Sequence, residues 1–477
     1  MFSAKFFRSI AIGCIACFVV ACSIPELVSR DVKKDQPADY SGSEDTVNFA
    51  QLNWKDFFAD QYLVNLIDSA LKNNQELNIL LQEINVAQNE VLARKGEYLP
   101  FLNLGGTGGV EKVGRYTSQG ANDANTEIEP GKLVPEVLGD YGFGAFATWE
   151  VDIWRKLRNA RDAAMFRYLA SVEGKNFMVT NLVAEIAGSY YELLSLDNQL
   201  ALIREYITIQ NNALKIVRIQ KEAGEVTELA VRKFEAEVLN TEGLQYDVLQ
   251  QIVERENRIN FLLGRYPQPI QRDLQTFNVP MPDTLHAGIP SQLMEYRPDI
   301  RQAEQELTAA KLDVKVAKAK FYPSFRITAG VGFSAFNPAY LIRSPESLIY
   351  SLAGDLVAPV INRKAIKAEY LSANAEQVEA VYRYERTVLN AYVEVVNQVS
   401  QIGNLQKSYD LKLQESQVLS QAILVATELF KSGKAEYMEV LLTQRDALQS
   451  RFELIEYKKQ QRIALINLYQ ALGGGWE

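Results

Sequence analysis

The sequence predicts a mainly α protein that carries a membrane β-barrel, and three observations predict it. An apolar stripe of coiled-coil spacing runs through one unbroken helical stretch, Arg155 to Glu222. Short hairpins alternate apolar and polar residues as lipid-facing strands do. The whole arrangement of hairpin, long helix and returning helix then occurs a second time.

Taken in order, the chain opens with Lys5 and Arg8, an apolar run from Ile10 to Val20, and a small residue before Cys22. That is the layout of an export signal over residues 1–21, and the run is too short to span a membrane comfortably. Val19-Val20-Ala21-Cys22 resembles the lipobox of bacterial lipoproteins, with Val19 in place of the usual leucine, and this makes Cys22 the lipidation site. A plain secretory signal beside a stray cysteine is the alternative. Ser23, rather than an aspartate, favours the outer membrane by the same resemblance. Cys14 and Cys17 leave with the signal, so no disulfide can form within the mature chain.

Composition narrows the function. The 477 residues are 47% hydrophobic and 23% charged, as in a folded protein. Without Lys5 and Arg8 the chain keeps 48 basic and 59 acidic side chains, a net charge of −11. A nucleic-acid binder carries the opposite sign. The single histidine, His286, lies in a proline-rich connection, which argues against a histidine-built metal site or a Ser-His-Asp hydrolase. No nucleophile–base pair, metal cluster or phosphate loop rises above background, so neither catalysis nor a cofactor is expected.

Residues 22–53 read as an extended tether from the lipid, and helix follows from Trp54 and again from Leu77 to Ala93. At Pro100 the period falls to two, opening a hairpin over about 98–153, with an Asn/Gly/Pro-rich loop from Gly114 to Pro135. Its return strand sets Tyr141, Phe143, Ala145, Ala147, Trp149, Val151 and Ile153 on one face. Gly142, Gly144, Thr148, Glu150 and Asp152 lie on the other. One such hairpin fits a soluble sheet packed on a core equally well. The second copy, over about 323–360, tips the reading to a barrel: Ile327, Ala329, Val331 and Phe333 alternate with Arg326, Thr328, Gly330 and Gly332, and Asp355 joins the polar face.

The first long helix, about 155–222, carries the seam Val179, Leu182, Ile186, Ser189, Leu193, Leu196, Leu200, Ile203, Ile207, Gln210, Leu214, Val217, and only Ser189 and Gln210 interrupt it. At 1.5 Å per residue this rod is on the order of 100 Å long. Its counterpart covers about 363–432. Arg155 to Gly224 spans 69 positions and Arg363 to Gly433 spans 70, so the rods match to one residue. Each glycine supplies a left-handed cap, and returning helices cover about 226–263 and 435–472. The first repeat is therefore 54–266 and the second 299–477, joined by a proline-rich linker, 267–298.

Four strands cannot close a barrel, and open edges are not tolerated in lipid. The sheet must close with strands of other copies, which predicts a ring-shaped homo-oligomer with a barrel at one end and a tube of helices leading from it.

The chain resembles the TolC-like outer-membrane efflux proteins, and among them the lipidated outer-membrane factors of resistance-nodulation-division pumps, over nearly all of residues 22–476. The resemblance rests on Arg297-Pro298-Asp299-Ile300-Arg301-Gln302-Ala303-Glu304, Phe321-Tyr322-Pro323-Ser324, Glu150-Val151-Asp152-Ile153-Trp154 and Ala471-Leu472-Gly473-Gly474-Gly475-Trp476. It implies a homotrimer with a twelve-stranded barrel, a periplasmic helical tunnel, and an equatorial region built from the linker and the chain ends. It also implies a passive duct in the outer membrane, extending into the periplasm and fed by an inner-membrane RND-type transporter through a periplasmic adaptor. Efflux of toxic small molecules is the leading reading. The exit duct of a type I protein secretion system and a lipid-anchored coiled-coil scaffold without a pore remain open.

The helix tips are the adaptor candidates: Gly224, Val226, Thr227 and Leu229 in the first, Gly433, Ala435, Tyr437 and Met438 in the second. Glu436, Glu439 and Leu442 are candidates for the periplasmic gate, since acids there would form rings around a symmetry axis. Thr148, Glu150, Asp152 and Asp355 are placed in the barrel lumen. Two positions depart from the family pattern: Arg155 stands where a glycine is common, and Leu442 where an acid is common.

Overall fold

The computed structural model describes residues 24–33, 37–40, 47–282 and 286–476. Cys22 and the export signal lie outside them. Two compact units share the chain. One gathers the residues up to Asp31 with Val86–Tyr168 and Gln305–Val381; the other holds Val32–Asn85, Leu169–Glu304 and Tyr382–Glu477.

The first unit is built on a four-stranded antiparallel sheet. Its strands are β1 (Phe101–Glu111), β2 (Leu138–Val151), β3 (Ser324–Ala335) and β4 (Leu348–Val357), paired in the order β1-β2-β3-β4. The central pair joins the two repeats, with Ala147 opposite Ala329 and Phe143 opposite Phe333. The Phe143 and Phe333 rings lie 5.5 Å apart on the apolar face. At the same seam Gly144 faces Gly332, where a Cβ on Gly332 would stand 2.4 Å from the Phe143 carbonyl oxygen. Only glycine lets the backbones approach so closely. The two outer strands, β1 and β4, are exposed along their whole length. The loop expected over 114–135 is not structureless. It holds a helical turn, Ser118–Asp123, capped by the Thr117 hydroxyl, and a small ribbon of Glu127–Glu129 with Lys132–Leu133.

The second unit takes its core from helices. In chain order the main helices are α1 (Gln61–Asn73), α2 (Gln75–Glu97), α3 (Lys156–Glu222), α4 (Glu228–Leu262), α5 (Pro298–Ala319), α6 (Lys364–Lys431) and α7 (Tyr437–Ala471). The two rods, α3 and α6, have 67 and 68 residues, and their returning partners have 35 each. Ten of the twelve seam positions on α3 are buried, and the half-buried Val179 and Ile207 pack against the core that takes Leu182, Ile186, Leu193, Leu196, Leu200 and Ile203. Each fully buried Leu or Ile contributes about 1.5–3 kcal/mol, so the seam is the main source of cohesion on this helix. The two polar interruptions are buried as well, and neither the nitrogen nor the oxygen of the Gln210 amide has a hydrogen-bond partner among the described residues.

All four long-helix termini end in the same way. The N–H of Glu225 reaches the carbonyl of Gln220, Arg265 reaches Asn260, Lys434 reaches Leu429, and Gly474 reaches Tyr469, all at 2.8–3.0 Å. In each, the residue just before the donor is a glycine of positive φ: Gly224, Gly264, Gly433 and Gly473. These are Schellman caps, which satisfy the last carbonyls of a helix while turning the chain.

The entries into the rods match too. Arg155 has φ 58° ahead of α3 and Asn362 has φ 56° ahead of α6. Asparagine tolerates this left-handed conformation, whereas an arginine is held in it at a cost of about 1–2 kcal/mol. The Arg155 side chain is 60% exposed, and the nearest carboxylate, Asp162, is 3.8 Å away. Replacing Arg155 by glycine is therefore expected to raise stability by about 1 kcal/mol, read as a higher midpoint of thermal unfolding in detergent. An unchanged or lower midpoint would show that the side chain outweighs the backbone at this position.

Candidate functional site

At the first tip Thr227 precedes α4, and at the second Glu436 precedes α7; neither side chain closes the start of its helix. Beneath them Leu214, Val217, Val231, Phe234, Phe430 and Val440 form a small core to which both hairpins contribute. Val226 and Tyr437 lend their side chains to that core. Leu229 does not, and is 58% exposed. Met438 lies between these extremes, half-buried, with its Sδ 3.5 Å from the Lys233 ammonium. Thr227, Gly224 and Gly433 are exposed and Ala435 is half-buried.

Glu436, Glu439 and Leu442 are all exposed, spaced three apart, and so share one side of the start of α7. Neither glutamate has an ion pair among the described residues. Apolar Leu442 therefore follows two free carboxylates on one stripe.

On the sheet, register places Glu150 opposite Arg326 and Arg326 opposite Asp355. Three charged residues thus occupy one rung of one face, with Thr148 and Thr328 on the rung two residues further along. Sequence alternation puts Arg326 on this face but does not link it to the acids. The signal that would have found it is the register between the two copies. Phe146 also lies on this face, packed over Gly330, an exception that the alternation had passed over.

Asp152 has a different occupation. It lies one residue beyond β2, and its carboxylate accepts from the backbone N–H of Leu157 at 3.0 Å and of Arg158 at 2.9 Å, and from the Arg158 side chain at 3.1 Å. Burial pushes this carboxyl up, but the N–H donors of Arg158 and Leu157 outweigh it and hold the group below its usual range. Asp152 is thus the N-terminal cap of α3. Glu150, beside it, pairs with Lys156.

In the helical unit the Arg297 signature is a buried junction. The guanidinium is bound in fork fashion by Asp299, at 3.0 and 2.6 Å, and a third nitrogen donates to Glu394 on α6 at 2.7 Å and to the carbonyl of Ala471 at the end of α7 at 2.8 Å. Burial works against the charge, but Asp299 and Glu394 more than offset it, and the guanidinium pKa stands above its ordinary value. Gly473 passes so close that a Cβ there would lie 2.4 Å from the Tyr296 carbonyl oxygen, and the Trp476 indole N–H donates to the same oxygen at 3.1 Å. The linker is pinned a second time by Arg272, which reaches Asp197 on α3 and Glu256 on α4, each at 2.5 Å.

A sheet with one apolar face and two unpaired edges, whose strands lead into long helical hairpins, defines a membrane channel subunit. The sequence pattern of the outer membrane efflux protein family matches residues 66–265 and 289–474. The chain belongs to the outer membrane efflux protein family. It is 28% identical to the pyoverdine export outer membrane protein OpmQ of Pseudomonas aeruginosa over 426 residues, covering 89% of this chain and 87% of that one. It is also 28% identical to outer membrane protein OprJ of the same organism, with the same coverage. A crystal structure of a membrane protein from Pseudomonas aeruginosa superposes with a TM-score of 0.84 at 26% identity, over 95% of this chain and 100% of that chain.

Replacing Arg297 by methionine leaves the partly buried Asp299 without its cation and is expected to cost about 2–3 kcal/mol. Lysine keeps the charge but not the fork, and is expected to restore only part of the loss. Unfolding midpoints of the two variants against the native protein would check this order, which an Arg297→Lys variant of native stability would break.

Proposed function

We propose that this chain is the exit duct of a tripartite efflux pump, assembled from three copies in the outer membrane and anchored there through lipid on Cys22. The observation that carries the reading is the sheet: an apolar face flanked by two fully exposed edge strands, β1 and β4. Pairing β4 of one copy with β1 of the next leaves no edge in the bilayer. Three copies bring twelve strands, as the family resemblance implies.

The helical unit supports association independently. Leu239, Tyr246 and Val253 stand exposed at seven-residue intervals on α4, and Leu411, Val418 and Val425 do so on α6. Two unused heptad stripes on different helices fit a head-to-tail contact repeated around an axis. Placing aspartate at Val418 is expected to shift the detergent-solubilised protein from trimer to monomer by native mass; a variant that stays trimeric would remove this contact from the interface.

The duct is passive. Energy comes from the inner-membrane transporter, and the periplasmic adaptor docks on the tips, where exposed Leu229 is the strongest contact candidate and Thr227 and Met438 flank it. Glu436, Glu439 and Leu442 line the periplasmic entrance, and Thr148, Glu150 and Asp355 face the lumen of the barrel. Ile24, two positions after Cys22, packs with Leu27 and Ile366 against a small core that includes Phe321 and Tyr370, beside the start of β3. The first described residues after Cys22 are thereby held at the foot of the sheet.

Substituting aspartate for Leu229 is expected to abolish export, read as dye accumulation in cells that hold the matching pump and adaptor. Trimer mass and conductance in planar bilayers should stay as in the native protein. Normal export by this variant would remove Leu229 from the docking surface, and a native protein without conductance would remove the channel.

A further inference from the structure

The two strand-to-helix junctions repeat a pattern that channel formation alone does not use. In the first, Ile153 and Trp154 are 54% and 45% exposed and are followed by left-handed Arg155. In the second, Val360 and Ile361 are 52% and 89% exposed and are followed by left-handed Asn362 and then by Arg363 and Lys364. Each junction presents two apolar side chains, turns sharply, and then presents cations. The Trp154 ring is fixed by stacking on Tyr322 at 4.7 Å, and its indole N–H donates to the Pro323 carbonyl at 2.8 Å.

The cations differ in how far they are occupied. Lys156 and Lys320 are paired, with Glu150 and Glu369. Arg363 lies 4.7 Å above the Phe321 ring and donates to its carbonyl. Lys364 and Lys367 are exposed and have no ion pair among the described residues. Arg155 has only Asp162 at 3.8 Å. The unpaired positive charge is thus concentrated immediately beyond the lipid-facing strands, next to apolar groups too exposed to face water without cost.

We propose that these junctions form a collar that binds anionic phospholipid headgroups of the leaflet at the foot of the sheet. Ile153, Val360 and Ile361 enter the acyl boundary, and Arg155, Lys364 and Lys367 meet the phosphates. The inference rests on the channel reading, which sets the bilayer against the apolar sheet face. Three features select lipid as the occupant. The collar continues the lipid-facing surface of β2 and β4. Aromatic and basic side chains in this order are what a headgroup layer accommodates. A neighbouring copy offers no complement, because the last turn of α2, which leads to the opposite edge strand, carries Lys95 and an Arg94 whose acids are already its own Glu90 and Glu97.

The test is native mass spectrometry of the full-length lipidated protein in detergent, offered equal amounts of dioleoyl phosphatidylglycerol and dioleoyl phosphatidylcholine. The native protein is expected to retain the anionic lipid about ten-fold more. The triple variant Arg155→Gln, Lys364→Gln, Lys367→Gln should bring the ratio near one with the trimer mass unchanged. Ile361→Asn should lower retention of both lipids and leave their ratio alone. A native ratio near one, or a triple variant that keeps the native ratio, overturns the collar. Dissociation of the Ile361→Asn protein to monomers also overturns it, since the occupant is then a second copy. Conductance of the same preparations separates the two readings: a conducting channel without lipid preference sinks only the collar, and a native protein that does not conduct sinks the channel.

Discussion

The helical unit depends on one buried cation. Arg297, at the end of the linker, is held by Asp299 at the start of α5 and joins two parts of the chain far off in sequence: the second rod through Glu394, and the end of α7 through the Ala471 carbonyl. A guanidinium is suited to this because its five donors point outward in a plane, and a fork of two can be spent on one carboxylate while another serves elsewhere. The arrangement gives a reason for the run Arg-Pro-Asp-Ile-Arg. Arg297 supplies the junction, Pro298 starts α5 where no N–H is needed, Asp299 holds the guanidinium, and Arg301 pairs with Glu173 at 2.6 Å beneath the Trp476 ring. Gly473 belongs to the same construction, since only a residue without a Cβ can follow the backbone of Tyr296 so closely.

Duplication explains most of the rest. The same glycine-based cap closes four helices, the same left-handed turn opens both rods, and the sheet is completed only when the hairpin of one repeat lies against that of the other. Val151 pairs with Phe325, far along the chain, so closing the central seam carries a larger loop-closure cost than either hairpin does. The family glycine before the rod now has a physical meaning: the position requires positive φ, and this chain meets the requirement with Arg155 in one repeat and Asn362 in the other.

Helices and strands were legible because each had a strong local signal. Heptad spacing marked the rods, glycines marked their ends, and two-residue alternation marked the strands. The bounds of α3 and α6 fall within one residue of those expected at either end. What escaped was whatever depends on the partner a side chain finds rather than on the period of the sequence. Asp152 read as a lumen acid because alternation put it on the polar face, but a carboxylate one step past a strand and four before the next turn of helix finds that helix's free N–H groups first. Arg326 between Glu150 and Asp355 could not be seen without register. At the tips, apolar character alone did not separate Val226 and Tyr437, which face inward, from Leu229, which does not. The small elements in the loop after β1 were hidden by a composition rich in turn formers.

The equal rods impose a rule on how such a chain can change in length. Both tips contribute to one small core, with Phe234 from the first hairpin and Phe430 from the second, so the hairpins must finish level with each other. An insertion in α3 alone would carry its tip past that of α6 and pull the shared core apart. A number of residues other than a whole heptad would rotate the seam away from its partners even if both rods received it. The shared core is therefore kept only when length changes come in pairs, one in each half of the chain, and the two rods, at 67 and 68 residues, are matched accordingly.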